Sequence, residues 1–404
     1  MGIAERSIAA IRGSRGILLL LFFASILALL CAYFFISRSD AFYDLAVSFT
    51  QGRLDVVPPQ LPHDYVLRTA KYYWAPGPFP SLLYIPFALL QTGRGADFLS
   101  FALTMCIAYL FFRLSRAEKL SVNSSLWLSF AFTFASPMLG VLSFARASYV
   151  AHLIVVAALA AILLEYASAK RYLLIGFLYG VILATRGTAV LSIIFFILDA
   201  VIRYRYEPKK MLRALCTLAA PVVVFLVLIF WYNYARFDSI FETGYGMAFL
   251  GEDLQAMRDM GLFGLVHLPA NLYYFFLAGP LPITRPPAAT LVFPYITNSG
   301  WGLGIIFTAP YLLSLFWRSI GDRTEQLLWL GVLCAALPVF LYYGVGALQL
   351  GYRYALDFLP LIYFIFLRTL KNRDGEVPAQ FKKLFAAVYF FNLYLVFVQV
   401  KLMI

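Results

Sequence analysis

The sequence predicts an all-α polytopic membrane protein with about eleven transmembrane helices. The first observation is composition: of 404 residues, 62% are hydrophobic and 13% are charged, and the mean hydropathy is +0.81. A soluble domain needs roughly 25% charged residues to cover its surface, so this composition suits a surface that faces lipid. The second observation is that apolar runs of spanning length recur along the chain. The third is that Lys and Arg concentrate in alternate short connections, which is the positive-inside pattern.

The first apolar run follows a basic N-terminus, MGIAERSIAAIRGSRG, and begins at Ile17. It is roughly 20 residues long, which exceeds the apolar core of most signal peptides, and no small-x-small cleavage site follows it. We therefore expect a retained span with a cytoplasmic N-terminus. The expected spans cover residues 17–37, 98–112, 122–143, 148–165, 172–185, 188–201, 214–234, 300–317, 326–345, 354–368 and 384–402.

The charge distribution sets the expected orientation. Most of the 32 Lys and Arg residues lie in the N-terminal tail and in short connections at 113–119, 170–171, 203–213, 318–323 and 368–383. These connections are predicted to be cytoplasmic and the C-terminus to be outside. Counting the apolar stretch 79–92 as a span would place the basic connections at 113–119 and 203–213 outside. We therefore predict an interfacial helix there, on the outer leaflet. The same reasoning predicts an interfacial helix for Asn271–Ile283.

Two long outer loops, 38–97 and 235–299, are expected within a single transmembrane domain over 1–404 that has no separate soluble domain. The first loop opens with Asp40 and Asp44, which are four residues apart and would share one face of a helix, and it continues to Asp64. A carboxylate at the membrane surface can accept a proton from a hydroxyl nucleophile, as a general base does. The alternative is that these acids are solvated or cap a helix.

A second group of candidates consists of arginines at the outer ends of apolar segments. Each can extend its side chain to a lipid head group, which is the simpler interpretation. Their recurrence on the side that the positive-inside rule disfavours indicates convergence on an anionic ligand, because arginine binds phosphate bidentately and stays charged. The group comprises Arg146, Arg186, Arg236, Arg285 and Arg353.

Further candidates adjoin these groups. Lys71 in the first loop is followed by Tyr72, Tyr73 and Trp74, aromatic side chains that can stack on a sugar or anchor a loop in the membrane interface. His152 lies within a predicted span, where a histidine is either a hydrogen-bonded core residue or a functional one.

No cofactor is predicted. The four cysteines each lie in an apolar run without metal-ligand spacing, which is typical of small buried hydrophobes. The outer loops contain no DxD pair, and no HExxH, Walker or GxGxxG pattern occurs; a divalent metal bound without such a motif is left open. In so apolar a chain, the net charge of +12 indicates topology signals and contacts with anionic membrane lipids, not nucleic acid binding.

The motifs of the first loop resemble the GT-C superfamily of membrane glycosyltransferases, and are similar to those of bacterial lipopolysaccharide-core, aminoarabinose and mannosyl transferases. After the first acids, the pattern comprises Tyr43-x-Leu45-Ala46, Gly52-Arg53-Leu54, Asp64 and Lys71-Tyr72-Tyr73-Trp74-x-Pro76-Gly77-Pro78-x-Pro80. The later segments that look alike are Ala145-Arg146 to His152, Gly180 to Arg186, Arg236-Phe237-Asp238-Ser239 and Gly351-Tyr352-Arg353-Tyr354-x-x-Asp357. The motifs are loose but extend over nearly the whole chain.

That resemblance implies a GT-C-like fold in the bacterial inner membrane, with juxtamembrane helices in the first outer loop and an active site outside. It implies inverting transfer of a sugar from a polyprenyl-phosphate donor to a hydroxyl of a glycan or glycolipid acceptor. Asp40 is then the expected catalytic base, and Asp44 is the nearest match to the family's second acid. Donor phosphate would contact Arg146, Arg186, Arg236, Arg353 and Lys71, and the substrate loop would include Asp64, Tyr72, Tyr73 and His152.

The competing interpretation is a transporter or flippase for a lipid-linked or anionic solute, with the outer arginines as its gate. It predicts ionisable residues deep within spans and two pseudo-symmetric halves in the hydropathy pattern. A third interpretation, a polymerase or ligase of lipid-linked glycans, would place its large loop late in the chain. Here the loop richest in charge comes first, and long outer loops with short cytoplasmic ones favour an enzyme that acts outside.

Overall fold

The described part of the stretch 38–97, which is predicted to be the first outer loop, contains two helices and one hairpin. In the computed structural model the described residues are Leu18, Phe22, 40–93, 95–143, 147–286, 289–370 and 375–403. The rest of the predicted first span and the candidate Arg146 lie outside the described residues. The first outer loop comprises α1 (Ala41–Thr50), β1 (Tyr65–Arg68), β2 (Lys71–Trp74) and α2 (Phe79–Leu89).

Helices dominate the remainder of the chain. The first series comprises α3 (Gly95–Ala117), α4 (Val122–Phe134), α5 (Met138–Leu142), α6 (Ala147–Ala167), α7 (Tyr172–Leu183), a 3-10 helix (Gly187–Ile193), α8 (Ile194–Arg203) and α9 (Pro208–Phe237). The second outer loop contains α10 (Glu252–Asp259), a 3-10 turn (Leu265–His267), α11 (Leu268–Phe276), β3 (Leu281–Arg285) and β4 (Thr290–Thr297). The last series comprises α12 (Ile305–Thr308), a 3-10 helix (Pro310–Leu315), α13 (Arg323–Leu341), a 3-10 helix (Arg353–Asp357), α14 (Leu359–Leu370) and α15 (Ala379–Met403).

The chain is a helical membrane protein. Among the described residues, five helices are long and apolar enough to cross a bilayer, namely α3, α6, α9, α13 and the Ala379–Gln399 part of α15. Helices α2, α7 and α14 are apolar but shorter, at 10–17 residues. The expectation of about eleven spans therefore stays a prediction beyond these five.

The expectation of an all-α fold is wrong for two stretches. β1 and β2 pair antiparallel from Tyr65↔Trp74 to Arg68↔Lys71, around a two-residue turn in which Thr69 and Ala70 both have positive φ. Such turns usually carry Asn or Gly, so this hairpin had no turn signal in the sequence. The predicted interfacial helix over Asn271–Ile283 ends at Phe276, and its last residues belong to β3.

Two predicted spans are interrupted by proline. The run 122–143 divides into α4 and α5 at Pro137, and the run 300–317 contains only the short α12 and a 3-10 helix that begins at Pro310. Proline lacks the N–H that would continue an α-helix and clashes with the preceding turn. The helix predicted within 79–92 is present as α2, and its position at the membrane surface stays a prediction.

Helix α6 is the centre of the packing. In an apolar stretch of 18 residues of α6, 78% is buried, whereas the buried share of the corresponding stretch is 39% or less in each of the other four long helices. Apolar side chains therefore surround α6 on all sides, as expected for a helix enclosed by others. Because α6 is interior, its N-terminal residues Ser148 and Ala151 can form the floor of a cavity, and not an outer surface.

Candidate functional site

A cavity of about 540 Å³, the central cavity, lies where the ends of α6, α7, α9 and α13 meet the two outer loops. The first loop contributes His63, Asp64 and the turn at 75–78, and the second contributes Thr243 and Tyr245. The central cavity is therefore built jointly by helix ends and by loops that lie far apart in the sequence.

Backbone hydrogen bonds join these loops to each other and to the helices. The Asp64 N–H donates to the Phe249 carbonyl at 2.9 Å, and the Phe249 N–H donates to the Tyr65 carbonyl at 2.8 Å. The Phe79 N–H donates to the Ala184 carbonyl at 3.1 Å, which docks the first loop on the end of α7. These bonds fix Asp64 in the wall of the central cavity.

Three of the predicted phosphate-binding arginines come together in the central cavity. Arg186 follows α7, Arg236 lies in the last turn of α9, and Arg353 begins the 3-10 helix that precedes α14. Helices from distant parts of the chain thus direct three cations to one space. Their hydrogen bonds differ, and this difference decides which of them can take a ligand.

Arg186 is neutralised by a buried carboxylate. Its Nε and Nη2 atoms donate to the two Asp357 oxygens at 3.0 and 3.1 Å. Thr188 Oγ1 donates to the same carboxylate at 2.5 Å, and His152 Nδ1 lies 3.7 Å from it. The Asp357 side chain is 0% exposed, so each charge compensates the other where water cannot. Arg186 therefore presents little free positive charge.

Arg236 keeps its charge but has all three guanidinium nitrogens engaged. Nη1 donates to the Trp74 carbonyl at 2.8 Å, Nη2 to Asn233 Oδ1 at 3.0 Å and Nε to the Tyr232 carbonyl at 3.4 Å. The guanidinium carbon also lies 3.9 Å from the centre of the Tyr232 ring, a cation–π contact. These acceptors are neutral, so Arg236 adds an uncompensated positive charge held in a fixed position.

Among the described residues, one edge of the Arg353 guanidinium has no hydrogen-bond partner. Nη1 donates to the Ala347 carbonyl at 2.8 Å and to Gln349 Oε1 at 3.3 Å. Nε is buried without a partner, and Nη2 makes no hydrogen bond with any described residue. Nε–H and Nη2–H form a fork of two parallel donors, the geometry that binds carboxylate or phosphate bidentately. We call this pair of donors the open edge of Arg353.

Three carboxylates of the first loop act electrostatically on Tyr65, and we call Asp40, Asp44 and Asp64 the acidic cluster. Burial raises the pKa of Tyr65, and all three carboxylates raise it further. Asp64 lines the central cavity. Asp40 caps α1, because its Oδ1 accepts from the Phe42 N–H at 3.1 Å; Phe42 lines the central cavity, whereas Asp40 does not.

Burial changes the proton affinity of this cluster. It raises the pKa of Asp40 to about 6, and it raises the pKa of Asp44. Burial also raises the pKa of Asp64, while His63 and Arg353 act in the opposite direction. A carboxylate whose pKa approaches neutrality is well suited to accept a proton.

The other predicted residues lie outside the lining of the central cavity. Lys71 is largely exposed and pairs with Asp55 at 3.4 Å. Tyr73 packs on Phe237, with 5.7 Å between ring centres, and Tyr72 belongs to the main apolar core. Arg285 is exposed in β3, and His152 is buried beside Asp357 as described above. Their functional roles stay predictions.

Sequence reasoning gave no role to three residues that shape this site. Asp357 neutralises Arg186, Gln349 binds Arg353, and the Tyr354 ring lies 5.2 and 4.9 Å from the two guanidinium carbons. An acid in the apolar run 354–368 was the one available signal, because ionisable groups within spans are usually paired or functional. Gln349 had no such signal, since its partners are set by the fold of its loop.

A second, apolar cavity of about 640 Å³ adjoins the first, and we call it the apolar groove. Its wall comprises Leu191, Ile193, Ile194, Ile197, Phe263, Cys334, Leu337, Pro338 and Leu341. Leu191, Phe263 and Pro338 line the central cavity as well. The central cavity and the apolar groove are therefore neighbours that share three wall residues.

Comparison with models of protein families, with curated proteins and with solved structures found no match to this chain. Within the described part of the chain, no group of three or more His, Cys, Asp or Glu side chains could hold a metal ion.

Proposed function

We propose that the protein is a membrane glycosyltransferase of the GT-C type, which transfers a sugar from a polyprenyl-phosphate donor to a hydroxyl of a glycan or glycolipid. The observation that carries this proposal is the content of the central cavity. It combines the open edge of Arg353, the uncompensated charge of Arg236 and the carboxylate of Asp64. Such a reaction needs cations that bind the leaving phosphate and a base that accepts the proton of the acceptor hydroxyl, and the central cavity contains side chains of both kinds.

In the proposed reaction the acceptor hydroxyl oxygen forms a bond to the anomeric carbon of the donor sugar. The bond from that carbon to the phosphate oxygen breaks on the opposite face, so the configuration inverts. The hydroxyl proton passes to a carboxylate, and polyprenyl phosphate leaves with an additional negative charge. Arg353 and Arg236 stabilise that charge more strongly in the transition state than in the bound donor, which is the kind of binding that accelerates a reaction.

The acidic cluster supplies the proposed base. Asp64 has the position for it, because it lines the central cavity. Asp40, the residue that the family resemblance favours, has a pKa raised to about 6 and so exchanges protons near neutrality. Asp40→Asn and Asp64→Asn, each compared with Asp44→Asn, separate these roles. The variant that lacks the catalytic base should lose turnover by orders of magnitude without loss of expression.

The apolar groove supports a lipid-linked donor. Its wall is apolar throughout, and it shares Leu191, Phe263 and Pro338 with the cavity that holds the arginines. An isoprenoid chain in the groove would leave its phosphate beside the open edge of Arg353. Each methylene-sized unit removed from water stabilises the complex by about 0.8 kcal/mol, so a long chain would contribute strongly.

The proposal also includes a membrane topology that is more detailed than the five long helices establish. It comprises about eleven spans, a cytoplasmic N-terminus and a central cavity open to the outer side of a bacterial inner membrane. The excess of Lys and Arg in the short connections supports that orientation. Cysteine labelling from outside, at engineered positions in 245–262, tests it.

Profiling the glycolipids and polysaccharides of cells that lack the protein tests the proposed activity. Loss of one terminal sugar, restored by the wild-type chain but not by Asp64→Asn and Asp40→Asn together, is the expected result. It would identify both the sugar and the acceptor. An unchanged profile would overturn the proposal.

A transporter or flippase remains the second candidate function. It is favoured by the buried network of Arg186, Asp357 and His152, since ionisable groups within membrane helices are typical of transport pathways. Accumulation of an unmodified lipid-linked sugar on the inner face of the membrane, with transferase activity intact in extracts, would select this function over the first.

A further inference from the structure

Four hydrogen bonds hold the side chain of Gln349: two with Arg353 and two with backbone carbonyls. Its Nε2 donates to the Trp301 carbonyl and to the Val345 carbonyl, both at 2.7 Å. Its Oε1 accepts from the Arg353 N–H at 3.1 Å and from Arg353 Nη1 at 3.3 Å. Gln349 is 2% exposed. Every donor and acceptor position of the amide is therefore used, and the amide can adopt only one orientation.

Two glycines make room for this amide. A Cβ atom at Gly346 would lie 2.4 Å from Gln349 Oε1, and one at Gly302 would lie 3.0 Å from Gln349 Cγ. Both glycines also have φ values in the left-handed region, +91° and +95°, which side-chain-bearing residues rarely adopt. The backbone on both sides is thus shaped around Gln349.

The backbone of Gln349 is fixed as well. Its N–H donates to the Gly300 carbonyl at 3.2 Å, and its carbonyl accepts from Asn298 Nδ2 at 2.9 Å. The segment after β4 therefore holds the loop that carries Gln349. Because Gln349 and the Ala347 carbonyl both engage Nη1, the opposite edge of the Arg353 guanidinium is left free.

We infer that Gln349 is a positioning residue that presents the open edge of Arg353 to an anionic group in the central cavity. A neutral amide suits this task better than a carboxylate, because it orients the guanidinium without neutralising it. The contrast with Arg186 supports the inference, since Asp357 occupies the Nε and Nη2 edge of that arginine. The inference depends on the proposed function only in requiring a phosphate ligand.

The test uses the full-length protein purified in detergent, with farnesyl phosphate as the probe. Thermal unfolding at increasing probe concentration gives an apparent Kd. We expect Gln349→Met to weaken probe binding about tenfold, because the fork loses one orienting hydrogen bond to a charged group. Gln255→Met is the matched control: Gln255 Oε1 also accepts from an arginine, Arg258, but neither residue lines the central cavity. This control should bind the probe like the wild type.

A double-substitution cycle separates positioning from general support of the fold. In the Arg353→Gln background, Gln349→Met should cause no further loss of affinity, because its effect passes through Arg353. Additive losses would refute the inference. If Gln349→Met does not fold, Gln349→Glu takes its place: it retains the shape but neutralises Arg353, and should weaken binding at least as much.

The outcomes distinguish this inference from the proposed function. A wild-type protein that farnesyl phosphate does not stabilise would overturn the proposed function and this inference with it. Wild-type binding together with undiminished binding by Gln349→Met would overturn this inference alone.

Discussion

Arg353→Lys tests whether the open edge of Arg353 binds the donor phosphate. Lysine keeps the positive charge but replaces two parallel donors in a fixed plane by a single ammonium group. At least one charge-assisted hydrogen bond to the phosphate is lost, worth about 1.5 to 3 kcal/mol. Since 1.4 kcal/mol corresponds to a factor of ten, we expect the Kd for a polyprenyl phosphate, or the KM for the sugar donor, to rise about 10- to 150-fold.

The assay is donor binding by the purified protein, followed by turnover once the sugar has been identified. Arg285→Lys is the matched control, because Arg285 is another predicted arginine but is exposed in β3 and does not line the central cavity. A change of less than twofold for Arg353→Lys would refute the assignment. An equal loss of affinity for both substitutions would show that the effect is not specific to the fork in the central cavity.

Three further predictions concern the surroundings of this cation. Asp357→Asn should lower the free energy of unfolding by about 3 to 5 kcal/mol, because it leaves a buried arginine uncompensated; Asp238→Asn, at a carboxylate 80% exposed in its pair with Arg68, should cost no more than about 1 kcal/mol. Because burial raises the pKa of Asp40 to about 6 from 3.8, the folded state binds this proton more tightly than the unfolded one. The free energy of unfolding should therefore fall as pH rises from 3.8 to about 6, and Asp40→Asn should remove that part of the pH dependence. Leu337→Trp should obstruct the apolar groove and raise the KM of long-chain donors about tenfold, through loss of apolar burial. The KM of short-chain donors should not change. Leu333→Trp, on the same helix but outside the groove, is the control and should leave the KM of both kinds of donor unchanged.

The membrane class and the five long helices could be predicted from the amino-acid sequence. Apolar content and run length are properties of composition, and a bilayer selects for them directly. Helices over 95–117, 147–167, 208–237, 323–341 and 379–403 accordingly overlap predicted spans. The sequence also predicted a group of five arginines, of which Arg186, Arg236 and Arg353 line the central cavity, while Arg285 does not and Arg146 lies outside the described residues.

Tertiary structure alone decided what each of these arginines can bind. Arg186 meets Asp357, a residue 171 positions away, and Arg236 meets the Trp74 carbonyl, 162 positions away. Of these three arginines, only Arg353 has an Nε and Nη2 edge without a hydrogen-bond partner among the described residues, while Gln349 and the Ala347 carbonyl engage its Nη1. The physical reason is that a hydrogen bond needs a fixed distance and angle. Those distances and angles depend on how distant helices and loops pack together. That packing cannot be read from residue types and their spacing along the chain.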